Sequence, residues 1–134
     1  MVDDVLMQKL ASIDRCVRQV REFVGGDLDR LKQQLVQDAV VLNLQRACEQ
    51  AIDAAARVAS IRRLGVPTDS AEAFTLLERA GVLTPPTAAR MRAMVGFRNV
   101  AVHQYQLLDQ GILRAVVERH LGDFADLCRE LSGE

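Results

Sequence analysis

Four side chains that can carry out chemistry lie close together between Arg98 and Tyr105, in an otherwise apolar stretch of the chain. Arg98 carries a permanent positive charge and can hold a phosphate through two parallel hydrogen bonds. His103 has the side chain whose unperturbed pKa lies closest to neutral pH, so it can accept or donate a proton. Together with Asn99, these residues form a set that can bind and cleave a phosphodiester.

The reaction that this set favours is cleavage of RNA through the 2′-hydroxyl group of the substrate itself. His103 would take the proton from that hydroxyl or donate one to the 5′-oxygen leaving group, and Arg98 would stabilise the charge on the phosphorane. Asn99 would orient the histidine or the phosphate. Such a reaction needs no metal ion, cannot cut DNA, and is expected to leave a 2′,3′-cyclic phosphate and a free 5′-hydroxyl.

A purely structural role for the same residues stays open at this point. Arg98 can cap or pair at a helix surface, and Asn99 can mark a bend. His103 and Tyr105 can be half-buried residues whose hydrogen bonds are satisfied. Short clusters of these residue types arise often, so the cluster alone does not decide between the two interpretations.

The spacing of the cluster limits how a single helix can use it. Successive residues of a helix are rotated by about 100°, so Asn99 and His103 share one face, and Arg98 and Tyr105 share another. Arg98 and His103, five residues apart, then diverge by about 140°. We therefore expect either that the helix ends between them or that a symmetric dimer brings the side chains of two subunits into one cleft.

The elements that must position the cluster are predicted to be helices. Apolar residues recur every three or four positions, and local signals divide the pattern into five segments; they include Gly25-Gly26 after the first helix and an N-cap at Asp69 before the third. These run from Val2 to about Val24, from about Asp29 to Arg63, from Ser70 to Ala80, from Thr87 to about Tyr105, and from about Gly111 to Leu131. The second segment is long enough that a bend or a break is expected in it.

The periodicity also predicts which residues form the apolar stripes of three of these helices. In the first helix they are Val5, Leu6, Leu10, Ile13, Val17, Val20 and Val24. In the second they are Leu31, Leu35, Ala39, Leu42, Arg46, Glu49, Ile52, Ala56, Ala59 and Arg63. In the last they are Ile112, Ala115, Val116, Arg119, Leu121 and Leu127.

Length and composition favour one all-α domain, an up-and-down bundle spanning residues 1–134. The chain is 49% hydrophobic and only 4% aromatic, without tryptophan, which indicates aliphatic packing between helices rather than a β-sandwich. The net charge of −1 gives no overall attraction to nucleic acid, so any RNA contact must come from a local patch. Arg90 and Arg92, just ahead of the cluster, are the weaker candidates for such contacts.

Neither a metal site nor a cofactor is predicted. Cys16, Cys48 and Cys128 are widely spaced and are expected to fill the core, and His120 has no evident carboxylate or second histidine at ligand spacing. The sequence shows no signal peptide and no membrane-spanning segment, so a cytoplasmic location is expected.

The pattern Arg98-x-x-x-x-His103-x-Tyr105 resembles the signature of the HEPN superfamily, and specifically of its HepT branch of toxin ribonucleases. The resemblance extends over roughly residues 3–130. It includes Leu42-Asn43-Leu44-Gln45-Arg46-Ala47, Glu72-Ala73-Phe74 with Leu76-Leu77 before Ala80-Gly81-Val82, and Met94-Val95-Gly96-Phe97-Arg98-Asn99.

The resemblance implies a helical bundle that dimerises and cuts RNA without a metal ion in a cleft shared by two subunits. Arg98, Asn99 and His103 match the family's catalytic positions. The implied system is a type II toxin–antitoxin pair, in which an MNT-type nucleotidyltransferase antitoxin binds the toxin, in an assembly that can be larger than a dimer. The antitoxin would also transfer AMP to the motif tyrosine, here Tyr105. A rival from another class is a non-catalytic helical binding subunit of a nucleotidyltransferase complex.

Overall fold

The computed structural model describes residues 3–133, and all regular elements within that range are helical. They are α1 (Asp4–Val24), a 3-10 turn (Leu28–Lys32), α2 (Gln34–Ile61), α3 (Ser70–Arg79), α4 (Pro85–His103), a second 3-10 turn (Tyr105–Leu107), α5 (Gln110–Ala115), a π-helical turn (Val116–His120) and α6 (Leu121–Leu131). The prediction of an all-α bundle is confirmed.

The first helix is fixed at both ends by local hydrogen bonds. The Asp3 side chain accepts a hydrogen bond from the backbone N–H of Leu6 at 2.8 Å, which caps the first turn. Gly25 adopts a left-handed conformation, with φ at 61°, and ends the helix. The predicted apolar stripe is buried except for Val5, which is exposed. The predicted start at Val2 lies outside the described residues.

The predicted second helix is broken, and its predicted buried face is largely wrong. Residues 28–32 form a 3-10 turn, Gln33 is extended, and α2 begins at Gln34. Leu35 is 82% exposed and Leu42 is 44% exposed. The buried side consists instead of Val36, Gln37, Val40, Val41, Leu44, Ala47, Cys48, Ala51, Ala54, Ala55, Val58 and Ala59. Of the predicted stripe, Leu31 and Ala59 are buried.

The error on α2 has a physical cause. Alanine and valine line most of its buried side, and such small residues allow α1 to pack along the helix at close range. The prediction followed large leucines on the opposite side, where the 3.6-residue period fits equally well.

The next two helices begin much as predicted but end differently. The Asp69 side chain accepts a hydrogen bond from the N–H of Glu72 at 2.8 Å, so α3 starts at Ser70 as expected. α4 begins at Pro85, two residues before the predicted start, and ends at His103 rather than Tyr105. The N–H of Gln104 closes this last turn on the carbonyl of Val100 at 2.8 Å.

The predicted last helix is divided by the π-helical turn. The Asp109 side chain caps α5 by accepting a hydrogen bond from the N–H of Ile112 at 3.0 Å. The π turn inserts an extra residue into the helical period, so no single stripe can run through it. Ile112 and Arg119, both predicted to face the core, are accordingly exposed, whereas Leu121 and Leu127 are buried as predicted.

The helices enclose one buried cluster to which all six α-helices contribute. α6 contacts α1, α2 and α4, and Glu130 joins α6 to the start of α4 by accepting hydrogen bonds from the Thr84 N–H at 2.7 Å and from the Thr87 hydroxyl. Within residues 3–133, no helix is long and apolar enough to cross a membrane. The prediction of a single domain over residues 1–134 extends beyond the described range and stays a prediction.

Candidate active site

α4 presents the cluster because its other face is anchored in the core. Met94, Phe97 and Ala101 are buried, with 5%, 8% and 2% of their surfaces exposed. These residues lie three, four and seven positions apart, which places them on one side of the helix. The neighbouring Arg98 is therefore left at the edge of the core, and Asn99 lies outside it.

Arg98 is half-buried, and part of its hydrogen-bonding capacity is unused. Its Nη2 donates to the Ser70 hydroxyl at 3.3 Å, which places the guanidinium beside the first residue of α3. Its Nε is buried and has no hydrogen-bond partner. Among the ion pairs of residues 3–133, none includes Arg98. A buried donor without an acceptor is costly, so the Nε group is an unsatisfied donor at the edge of the core.

The positive charge of Arg98 also reaches Cys48 on α2. Burial raises the pKa of the Cys48 thiol to about 12, and the nearby Arg98 charge opposes that rise only partly. Cys48 is 2% exposed and packs as a core residue, as predicted. Arg98 is thus positioned at the junction of α2, α3 and α4.

Asn99 and His103 are exposed at the end of α4. They lie four residues apart and therefore share one helical face. Neither side chain forms a hydrogen bond with another residue of the described range, so both are accessible to a ligand. Within residues 3–133, no hydrogen bond joins His103 to Arg98 of the same chain.

Tyr105 lies beyond the helix, in the second 3-10 turn, and is half-buried. Its hydroxyl donates a hydrogen bond to the Asp38 carboxylate near the start of α2. Burial raises the pKa of Tyr105 to about 12, and the hydrogen bond to Asp38 and the charge of that carboxylate add to the rise. Tyr105 does not share a helical face with Arg98, because α4 has already ended.

A chain of amide side chains supports Asp38, a residue that the sequence did not single out. Gln34 Nε2 donates to Asp38 Oδ1 at 2.8 Å and contacts Gln37 Oε1 at 3.1 Å. Gln37 in turn donates to Gln110 Oε1 at 2.5 Å, which ties the start of α2 to α5. Asp38 and Tyr105 lie 67 positions apart in sequence, so no local pattern could have paired them.

Arg90 and Arg92 are both occupied within the chain. Arg92 Nη1 lies 2.8 Å from a carboxylate oxygen of Glu78. Arg90 lies 4.0 Å from Asp123 and 3.7 Å from Asp126. These two arginines therefore differ from Arg98, and contact with RNA would require them to exchange partners.

The expectation that His120 has no carboxylate partner is wrong. His120 Nδ1 lies 2.9 Å from Asp123 Oδ2, three residues further along the chain, although His120 is a surface residue as expected. In the described part of the chain, no group of three histidine, cysteine, aspartate or glutamate side chains is arranged to hold a metal ion.

The family comparison identifies the class of protein to which this all-helical bundle belongs. The model of the Ribonuclease HepT-like family matches residues 13–131. The chain belongs to this family.

Individual relatives are similar over their whole length. The mRNA nuclease HepT of Shewanella oneidensis is 40% identical over 134 residues, which cover 99% of this chain and 100% of that protein. A solved structure of the tri-AMPylated Shewanella oneidensis HEPN toxin in complex with MNT antitoxin matches with a TM-score of 0.93 and 39% identity, covering 99% of this chain and 100% of that one. A crystal structure of a toxin–antitoxin with AMP-PNP also has a TM-score of 0.93, with 38% identity, and covers 98% of this chain and 100% of that one.

Proposed function

We propose that this chain is the toxin of a HEPN/MNT toxin–antitoxin system and a metal-independent endoribonuclease. The observation that carries the proposal is the state of Arg98, a half-buried guanidinium with an unpartnered Nε and no carboxylate partner among residues 3–133. The near-full-length similarity to a protein named mRNA nuclease HepT supports the same function and makes mRNA the first substrate to test.

The proposed reaction assigns one role to each side chain. His103 takes the proton of the 2′-hydroxyl or gives one to the departing 5′-oxygen, since its imidazole is exposed and accessible. Arg98 stabilises the charge on the phosphorane, and Asn99, on the face of His103, orients the phosphate or the imidazole. The 2′-hydroxyl is the nucleophile, so the product carries a 2′,3′-cyclic phosphate. Arg90 and Arg92 have at most a secondary role on the RNA backbone.

The proposal includes a homodimer whose cleft combines side chains of both subunits. Arg98 points toward α3, whereas His103 lies exposed at the end of α4, so one subunit alone does not converge them. Val102 and Leu107 are 41% and 73% exposed on either side of His103, and such apolar surface is suited to an interface.

Mixed dimers test whether the cleft is shared. Arg98→Ala and His103→Ala chains are each expected to be inactive as pure dimers. If Arg98 of one subunit acts with His103 of the other, a mixture of the two variants contains one intact site in each mixed dimer and regains about a quarter of the wild-type activity. A mixture that stays inactive while mixed dimers are shown to form would contradict a shared cleft.

The proposed partner is an MNT-type nucleotidyltransferase antitoxin that binds the toxin and transfers AMP to Tyr105. The AMPylated state of the similar Shewanella oneidensis toxin supports this assignment. AMP near His103 would add bulk and negative charge where an RNA phosphate must bind. Unchanged masses of the peptides that contain Tyr105, after co-expression with the partner, would contradict AMP transfer to this residue.

A growth assay distinguishes a nuclease from a non-catalytic binding subunit. The chain is proposed to act in the cytoplasm, where the target RNA is found. We expect expression of the chain alone to arrest growth, and His103→Ala to relieve the arrest. Harmless expression of the unaltered chain would favour the binding subunit.

A further inference from the structure

We propose that Asp38 accepts the phenolic proton of Tyr105 during AMP transfer, so that the toxin supplies the base for its own modification. This assignment rests on the proposed function, in which Tyr105 is the AMP acceptor. It adds a residue on α2 that lies far from the motif in sequence and contacts the reacting oxygen directly.

The geometry places one carboxylate oxygen on the acceptor hydroxyl. The Tyr105 hydroxyl donates to Asp38 Oδ1, and Gln34 Nε2 donates to the same oxygen at 2.8 Å. Gln34 is itself held near Gln37, which is hydrogen-bonded to Gln110 at 2.5 Å. This network connects α2 to Tyr105 and to Gln110 at the start of α5, so Asp38 and the phenol are held together before any partner binds.

The protonation states of Asp38 and Tyr105 are those of a proton acceptor and a proton donor. The hydrogen bonds from Tyr105 and Gln34 hold the pKa of Asp38 below its ordinary value, so the carboxylate is ionised at neutral pH. No lysine or arginine forms an ion pair with Asp38 within residues 3–133. The phenol, in contrast, keeps its proton up to about pH 12. Tyr105 therefore needs a base to become a nucleophile.

The step balances with a nucleoside triphosphate that the nucleotidyltransferase partner supplies. The phenolic oxygen attacks the α-phosphorus, a new P–O bond forms, and the bond from that phosphorus to the β-phosphate oxygen breaks. Pyrophosphate leaves with the electron pair of the broken bond. The phenolic proton passes to Asp38 as the new bond forms, because the oxygen becomes strongly acidic once it is bonded to phosphorus.

The test compares AMP uptake by the wild-type chain and its variants under identical conditions. Purified wild-type, Asp38→Asn and Asp53→Asn chains react with the purified nucleotidyltransferase and ATP, and intact mass spectrometry follows the AMP added. Asp53 is the matched control because it is an exposed carboxylate on the same helix, roughly 22 Å away along its axis. Tyr105→Phe confirms the acceptor, and RNA cleavage by each unmodified chain confirms that it is folded.

Asp38→Asn is expected to slow AMP uptake by about 100-fold at neutral pH, with Asp53→Asn close to wild type. The ratio of the wild-type rate to the Asp38→Asn rate should also fall by about tenfold per pH unit as hydroxide replaces the missing base. A purely structural role would leave that ratio independent of pH, and such a result would overturn proton acceptance. Equal rates for wild type and Asp38→Asn would overturn the proposal entirely. A wild-type chain that takes up no AMP would contradict the proposed modification itself, and this proposal with it.

Discussion

Arg98 donates a hydrogen bond from Nη2 to the Ser70 hydroxyl at 3.3 Å, across the junction between α4 and the first residue of α3. The other two arginines of α4, Arg90 and Arg92, are paired with carboxylates. A hydroxyl partner leaves the charge of Arg98 uncompensated, and its buried Nε has no acceptor. This difference is the reason for assigning phosphate stabilisation to Arg98 rather than to its neighbours.

Replacing Arg98 should therefore affect the reaction more than the fold. We expect Arg98→Ala to lower kcat/KM for RNA cleavage by about 10²–10³-fold, the loss typical of removing one donor from a developing oxyanion. Arg98→Lys should restore only part of the activity, because an ammonium cannot hold a phosphate bidentately. Arg79→Ala, at the exposed end of α3, is the control. Equal losses in the Arg98→Ala and Arg79→Ala chains would argue against the assigned role.

Tyr105 can be titrated by absorbance without interference, since the chain has one tyrosine and no tryptophan. We expect its phenolate signal to appear near pH 12 instead of the ordinary value of 10.0. The Asp38→Asn variant should ionise at lower pH, because both the hydrogen bond and the negative charge of Asp38 are altered. A raised pKa in the folded state means that this contribution to stability is complete below about pH 10 and lost as the pH rises toward 12. Identical titration curves for the two chains would contradict the Tyr105–Asp38 contact.

Glu130 should stabilise the contact between α6 and the start of α4. Glu130→Ala removes the acceptor for the Thr84 N–H and the Thr87 hydroxyl, so we expect the free energy of unfolding to fall by about 1–2 kcal/mol. Glu118→Ala, an exposed residue of the π-helical turn, should change it by less than about 0.5 kcal/mol. Urea denaturation of the three chains measures both effects.

The Glu130 carboxylate should also make the free energy of unfolding depend on pH. Burial alone would raise the pKa of Glu130, but the hydrogen bonds from Thr84 and Thr87 outweigh burial and hold the pKa below its ordinary value of 4.5. A lowered pKa in the folded state stabilises the fold above about pH 4.5, and the contribution is lost as the pH falls through the folded-state pKa. Glu130→Ala should remove this component from the acid-unfolding curve. An unchanged curve would contradict the role assigned to Glu130.

The cysteines should react with alkylating reagents in an order set by burial. Cys48 is 2% exposed and burial raises its pKa to about 12, so we expect no labelling of its peptide in the native chain at pH 8. Cys128 is half-buried, with a pKa raised by burial to about 11, and should label slowly. Mass spectrometry of labelled peptides distinguishes the sites. Rapid native labelling of Cys48 would contradict its place in the core beside Arg98.

The sequence predicted the local features of this molecule better than those that depend on distant contacts. The cap at Asp69 and the glycine that ends α1 are local signals, and both are confirmed. The end of α4 was placed two residues too late, because Gln104 is neither glycine nor proline and its non-helical conformation, with φ at −140° and ψ at 45°, belongs to the turn that follows.

For the candidate site, the sequence predicted the motif residues but not the residues that contact them. The motif itself marks Arg98 and His103, and the period of a helix already indicated that they diverge. The partners of Arg98 and Tyr105, which are Ser70 and Asp38, depend on how α3 and α2 pack in the bundle, so no local pattern could identify them.

The most direct test of the account is RNA cleavage by the purified, unmodified chain in EDTA, beside His103→Ala and His120→Ala. The chain has two histidines, and His120, exposed on the surface and paired with Asp123, is the matched control. We expect cleavage by the wild type and by His120→Ala, with 2′,3′-cyclic phosphate ends, and a loss of about 10²–10⁴-fold in His103→Ala. No cleavage in EDTA by a chain with unmodified Tyr105, or full activity in His103→Ala, would contradict a metal-independent nuclease that uses His103.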